Sequence, residues 1–295
     1  MFERMRRGWG IVKASWAVLK QHPNLLVLPV LSGIGVLLLL GSIAATVLPT
    51  VQNGSAEALF GYLENDYLVY ALAFAFYWVT SFIVIFFNAA LIFCALEAFA
   101  GRTPTVTGGI ATAATRLPQI LVWSFITATV GLALNVLQKT LREKIGFLGS
   151  LLGGFLSVAW AIVTYFVVPV LVVDRVGPIE AIKRSGGILK RTWGESLAGE
   201  GGLGIISFLL MLPVFGLVAL AALTGGGVLT AGGGAGLLVF GGVVALYVIA
   251  VAVLLTALGT IFRAGAYIYA TTGSAPGGMD QTLLEHTFRK KDQKT

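Results

Sequence analysis

Gly199, Gly201 and Gly204 satisfy the spacing G-x-G-x-x-G. In dinucleotide-binding proteins such glycines let backbone N–H groups approach a pyrophosphate, but that chemistry needs a strand before them and a soluble helix after them. Here they follow a basic amphipathic stretch and open a hydrophobic run, so a flexible turn at a membrane entry is expected instead. Glu97 is a stronger candidate, because it lies inside the apolar run from Tyr67 to Phe99 and a charge in hydrocarbon is costly to hold. Arg102 or Arg116 could neutralise it, either as an interfacial structural pair or as part of a solute or proton path. Asn88 and Asn135 lie deeper in their runs and fit hydrogen bonding between helices. Pro169 and Pro213 remove backbone donors and should kink or locally unwind their helices.

The remaining reactive side chains are sparse. Cys94 is the single cysteine, which rules out an internal disulfide, and its apolar setting predicts a buried or lipid-facing thiol. His22 and His286 lie far apart in polar flanks, which gives no metal spacing. Glu64 and Asp66 alone make a poor calcium site, which wants about six to eight oxygens. No nucleophile-and-base arrangement and no phosphate loop stands out, so no cofactor is expected and a catalytic role is disfavoured.

These residues must be positioned by lipid-embedded helices. The chain of 295 residues is 57% hydrophobic and 11% charged, with a mean hydropathy of +0.90. A soluble domain usually carries about 25% charged residues. Six apolar stretches run roughly from Leu25 to Leu48, Tyr67 to Phe99, Gln119 to Leu137, Leu151 to Val173, Leu203 to Leu223 and Leu237 to Phe262. Each reaches the roughly 20 residues that cross a bilayer, and the second and sixth are long enough to tilt or to project past it. The fold class expected is all-α: a polytopic membrane bundle of about six transmembrane helices with amphipathic interfacial helices. No cleavable signal is evident before the first run.

Cytoplasmic flanks are enriched in Lys and Arg. Arg4, Arg6, Arg7, Lys13 and Lys20 precede the first span, Arg102 and Arg116 separate the second from the third, and Arg175, Lys183, Arg184, Lys190 and Arg191 follow the fourth. Arg263, Arg289, Lys290, Lys291 and Lys294 follow the sixth. Only Lys139, Arg142 and Lys144 fall on the opposite side, about three basic residues against about seventeen. Both termini are therefore expected in the cytoplasm. A net charge of +7 in this setting points to anionic headgroups rather than nucleic acid.

Trp9, Val12, Trp16 and Leu19 recur at helical spacing with Lys13 and Lys20 on the other face, which predicts an amphipathic helix lying on the membrane. A second copy places Ile179, Ile182, Gly186 and Leu189 in the same register, with Lys183, Ser185 and Lys190 matching Lys13, Ser15 and Lys20. Ile110, Ala114 and Leu117 form a weaker third copy after Pro104. Each precedes a pair of spans, so the single membrane domain 1–295 divides into possible units 1–100, 101–174 and 175–270, with a cytoplasmic tail 271–295. The competing explanation is that any short cytoplasmic connector tends to be basic and amphipathic. In either case Trp9, Lys13, Trp16, Lys20, Lys183, Arg184, Lys190, Arg191 and Trp193 are the expected headgroup contacts.

The string V-V-P-V-L-V-V-D-R-V-G-P-I-E-A-I-K-R-S-G-G-I-L-K-R-T-W-G-E, with F-F-N-A-A-L in the second span and H-P-N-L-L-V-L-P-V near the start, resembles a prokaryotic multi-pass membrane family of unknown function, DUF6159-like. The architecture is also similar, distantly, to the membrane domain attached to some glycerophosphodiester phosphodiesterases. The resemblance implies a helical membrane fold and supplies no catalytic residues.

Three functions remain open on the sequence. The first is a non-catalytic protein of the cell membrane whose interfacial helices organise lipid headgroups or dock a partner. The second is a permease or channel for a small or apolar solute, using Asn88, Glu97, Arg116, Asn135 and Pro169. The third, a membrane-embedded lipid-modifying enzyme, needs two polar groups at one depth, and no such pair is evident. Gly149 and Gly153, spaced G-x-x-x-G, permit close helix approach within the bundle or in a homo-oligomer.

Overall fold

The computed structural model describes residues 2–52, 66–223 and 233–273. Eight α-helices are described: α1 (Phe2–Gln21), α2 (Val27–Gln52), α3 (Asp66–Phe99), α4 (Val106–Ala114), α5 (Leu117–Val163), α6 (Val167–Val173), α7 (Pro178–Leu223) and α8 (Gly233–Thr272). A 3-10 turn, Pro23–Leu26, joins α1 to α2, and no strand occurs among the described residues. Helices satisfy their backbone groups internally, which is what hydrocarbon demands of a spanning segment. Glu57, Glu64, His286 and the basic residues of the tail lie outside the described residues.

Among the described residues, five segments are long and apolar enough to cross a membrane: Pro23–Pro49, Tyr67–Phe99, Leu117–Val173, Glu200–Ala219 and Leu238–Thr272. The third is 57 residues long, far beyond the roughly 20 that one crossing needs. It reverses at Ile145 and Gly146, where Gly146 takes φ 57° and ψ −127°, a conformation open mainly to glycine. The two arms then run antiparallel. Gln138 Nε2 donates to the Gly153 carbonyl at 2.9 Å and to Ser157 Oγ at 2.7 Å, and the Trp123 and Trp160 rings stack at 6.1 Å. The arms supply the third and fourth of the six expected crossings.

Many large apolar side chains point outward, among them Leu37, Leu38, Phe147, Phe155, Leu238 and Leu246. Contiguous apolar surface on this scale is foreign to a water-facing monomer and suits lipid. Between the helices, small residues take over: Ala89, Ala90, Ala128 and Ala257 are fully buried.

The described chain forms two compact units. The first takes Met1–Leu26, Phe99–Gly101 and the described part of Thr192–Thr295; the second takes Val27–Ala98 and Arg102–Arg191. In the first, α1 packs along α8, with Ile11, Val12, Ser15, Val18 and Leu19 buried at the i, i+1, i+4, i+7, i+8 spacing of one helix face. Gly265 makes the close approach possible, since a Cβ there would lie 3.1 Å from Ile11 and 3.2 Å from Phe99. α8 projects beyond Phe262, and its buried stretch Ala264, Ala266 and Tyr267 lies past the expected span end.

In the second unit, α4 begins at Thr105, whose hydroxyl accepts the Gly108 N–H at 3.1 Å as an N-cap. α4 approaches α3 through Gly109, where a Cβ would lie 2.5 Å from Cys94 Sγ and 2.8 Å from the Ala90 carbonyl oxygen. Cys94 is thus a buried thiol, donating to the Thr105 carbonyl at 3.4 Å. Phe74, Trp78 and Phe125 pack edge to face, with centroids 5.3 and 5.4 Å apart from Phe125, and Trp78 Nε1 donates to Ser124 Oγ.

Candidate functional site

α1 positions the first group of candidates. The sequence places Trp9, Val12, Trp16 and Leu19 on one membrane-lying face, but the structure divides that face in two. Val12 and Leu19 are buried in protein, whereas Trp9 and Trp16 remain 44% and 50% exposed. The reason is that α8 offers α1 an apolar partner, so the innermost stripe is covered by helix rather than lipid. Lys13 was expected on the face opposite the indoles, but it lies beside Trp9 and Trp16 in one groove lining, because positions 9, 13 and 16 fall within about 60° of one another around a helix of 3.6 residues per turn. Lys13 and Lys20 are exposed, and no described carboxylate pairs with either.

Trp9 lies over Gly202 of α7, with ring carbons 3.1 and 3.2 Å from where a Cβ would stand. Below it opens a groove of about 370 Å³ lined by Trp9, Val12, Lys13, Trp16, Ile206, Leu210, Leu254, Leu255 and Leu258. Lys13 is its one charged lining residue. Gly199, Gly201 and Gly204 are helical, not the turn expected at a membrane entry. Tertiary packing outweighs the helix-weakening effect of glycine here, at least where flat Gly202 receives an indole ring.

Residues 67–277 match the model of a family of unknown function, DUF6159. The chain belongs to the DUF6159 family. The match takes in the described residues of α3 from Tyr67 through α8, whereas α1 and α2 precede it. In this DUF6159 chain the groove therefore has two walls inside the matched region and a third, carrying Trp9, Lys13 and Trp16, before it. No curated protein matches the sequence.

The second elbow of the DUF6159 chain behaves differently from the first. α7 starts at Pro178 and is one helix through Leu223, so the expected interfacial segment continues into the span. Lys183 and Lys190 are exposed. Arg184 is engaged within the protein, donating to Asp174 Oδ2 at 2.9 Å and to Glu180 Oε1 at 3.1 Å. These hydrogen bonds, to Asp174 first, raise its guanidinium above the ordinary arginine range. The side chains of Arg191 and Trp193 lie outside the described ones.

The polar positions do not converge. Glu97 is held by Arg102 through two hydrogen bonds of 2.6 Å, a fork-to-fork pair at the end of α3. Among the described ion pairs, none joins Arg116 to Glu97. Burial lowers the Arg116 guanidinium, the nearby Arg175 charge acts in the same direction, and Arg116 Nε has no partner. Asn135 is exposed and donates to the Gly131 carbonyl of its own helix at 3.0 Å, not across helices as expected. Nineteen residues separate Arg116 from Asn135 on one arm of α5, roughly 28 Å at 1.5 Å per residue. Asn88 is half-buried in α3. Pro169 is buried as the third residue of α6, where its missing N–H has no helical acceptor to lose. The break in the fourth span precedes it, at Thr164 to Phe166.

Among the described residues, no three His, Cys, Asp or Glu side chains are grouped to hold a metal ion. The polar residues that sequence reasoning passed over are Gln138, Ser157 and Ser124, all engaged in helix contacts. The groove leucines also went unread. Within a continuously apolar run, nothing in residue type separates a groove-lining leucine from a lipid-facing one.

Proposed function

We propose that this protein is a non-catalytic, multi-pass component of a prokaryotic cell membrane, with both termini cytoplasmic, whose basic amphipathic helices engage anionic lipid headgroups. One observation carries this reading: on α1, exposed Lys13 stands between half-exposed Trp9 and Trp16 while the opposite face is buried. Indole rings favour the headgroup level, and each lysine near an anionic surface contributes on the order of 1 kcal/mol. Lys20, Lys183 and Lys190 add charge at the corresponding elbows. The order of elements supports a threefold arrangement, with α1, α4 and the start of α7 each leading into two crossings. The separation of Arg116 from Asn135, roughly 28 Å along the helix, disfavours a solute path shared by both.

The test is thermal unfolding of the full-length protein in mixed micelles as phosphatidylglycerol replaces phosphatidylcholine. The midpoint should rise with the anionic fraction, and charge reversal at Lys13, Lys20 and Lys183 together should remove the rise. A midpoint indifferent to headgroup charge would defeat the lipid reading. Reporter tags near residues 55, 145 and 230 should all be reached by external reagents, and an internal position for any of them overturns the orientation.

A further inference from the structure

The groove beside α1 has the shape and polarity of a single lipid tail. Gly202, Ile206 and Leu210 follow one another at four-residue intervals, so they lie along one face of α7 over roughly 12 Å. Leu254, Leu255 and Leu258 form the facing wall on α8. Both walls are parts of spans, so the groove runs along the helices, in the direction that acyl chains take in a leaflet. Its upper end is marked by Trp9, Lys13 and Trp16. At its lower end Tyr247 Oη donates to the Leu210 carbonyl at 2.6 Å, tying the two walls together. A volume of about 370 Å³ lies in the range of small-ligand sites, roughly 300–1,000 Å³.

We infer that this groove binds one acyl chain of an anionic phospholipid, with the phosphate seated against the Lys13 ammonium. The assignment rests on the headgroup reading above and narrows it to one site. Charge complementarity selects the occupant. Lys13 is the only charge in the lining, and Glu200, two residues before Gly202, is paired with Arg263 at 3.4 Å. A lysine stem can lie along the apolar wall while its ammonium reaches the phosphate layer. The two indoles flank that position, where ring and headgroup meet. A zwitterionic lipid would bring its own cation toward Lys13, and a partner helix, about 10 Å across, would need far more than the groove's volume of about 370 Å³.

The experiment offers the purified full-length protein equimolar phosphatidylglycerol and phosphatidylcholine with identical chains, then counts retained lipids by native mass spectrometry. The unmodified protein should keep one phosphatidylglycerol per chain, preferred about fivefold, the factor one interfacial lysine supplies. Lys13→Glu should erase the preference, whereas Lys20→Glu, on the same helix but outside the lining, should retain it. Leu255→Trp should fill the groove and release lipid of either headgroup. Equal losses in both lysine variants with none in Leu255→Trp would overturn the groove and leave the general headgroup reading standing. An absence of anionic preference in the unmodified protein overturns the site without relying on any variant. Displacement of phosphatidylglycerol by an equal concentration of oleate would reassign the groove to free fatty acids and overturn the phospholipid assignment.

Discussion

The backbone N–H of Phe166 donates to the Ser185 hydroxyl at 2.9 Å, and both residues are fully buried. Phe166 stands at the break between α5 and α6, so its N–H has lost its helical acceptor. Ser185 supplies one from α7. Ser15, its counterpart in the repeated K-x-S string, is equally buried but donates to the Ile11 carbonyl within its own helix at 2.8 Å. That carbonyl can keep its helical partner when the hydroxyl is removed. Ser185→Ala should therefore lower the unfolding free energy by about 1–3 kcal/mol, the cost of a stranded buried donor, and Ser15→Ala by less than about 1 kcal/mol. Denaturant titration in mixed micelles reads both, and equal effects would contradict the distinction.

Gly109 predicts a steric effect at the α3–α4 contact. An alanine methyl would press on Cys94 Sγ and on the Ala90 carbonyl. Overpacking of this kind typically costs about 1–3 kcal/mol. Adding Cys94→Ala removes the sulfur but not the backbone oxygen, so the double variant should recover only part of the loss. Full recovery would show that the carbonyl contact yields freely.

The crossings were legible because a bilayer imposes length and apolarity on every span, and charge avoidance marks their ends. The reversal inside Leu117–Val173 was legible as well, since Lys139, Arg142, Glu143 and Lys144 interrupt the run. The site was much less so. Periodicity places Trp9, Val12, Trp16 and Leu19 on one face, but it cannot report that α8 covers Val12 and Leu19 and leaves the indoles outside. Inside a span every face is apolar, so the pattern that distinguishes core from surface in water has no contrast. The partner of Glu97 was readable only as a choice between Arg102 and Arg116, and geometry decides for Arg102.

The Glu97–Arg102 pair should contribute little stability. Arg102 is 61% exposed and Glu97 23%, and pairs that solvent reaches are worth about 0–1 kcal/mol. Glu97→Gln should therefore change the unfolding free energy by less than about 1 kcal/mol. Arg102→Ala should cost more than Glu97→Gln, because it leaves the less exposed carboxylate without its two donors. The reverse order in chemical unfolding would show that Glu97 has a stronger partner than Arg102.

Gly149 and Gly153 have an internal use for their G-x-x-x-G spacing. Both are buried, and their neighbours are on the other arm of α5: Gly149 against the Leu141 carbonyl, Gly153 with its missing Cβ 2.5 Å from Gln138 Cγ. A methyl at either position meets the other arm of the same hairpin. Gly153→Ala should push Gln138 away from the Gly153 carbonyl and Ser157 and cost about 1–3 kcal/mol. Light scattering should report the same molecular mass for Gly153→Ala and the unmodified protein in one detergent. If the glycines instead seated a homodimer, the variant would lose half its mass while its unfolding midpoint, measured on the monomer, stayed where it was.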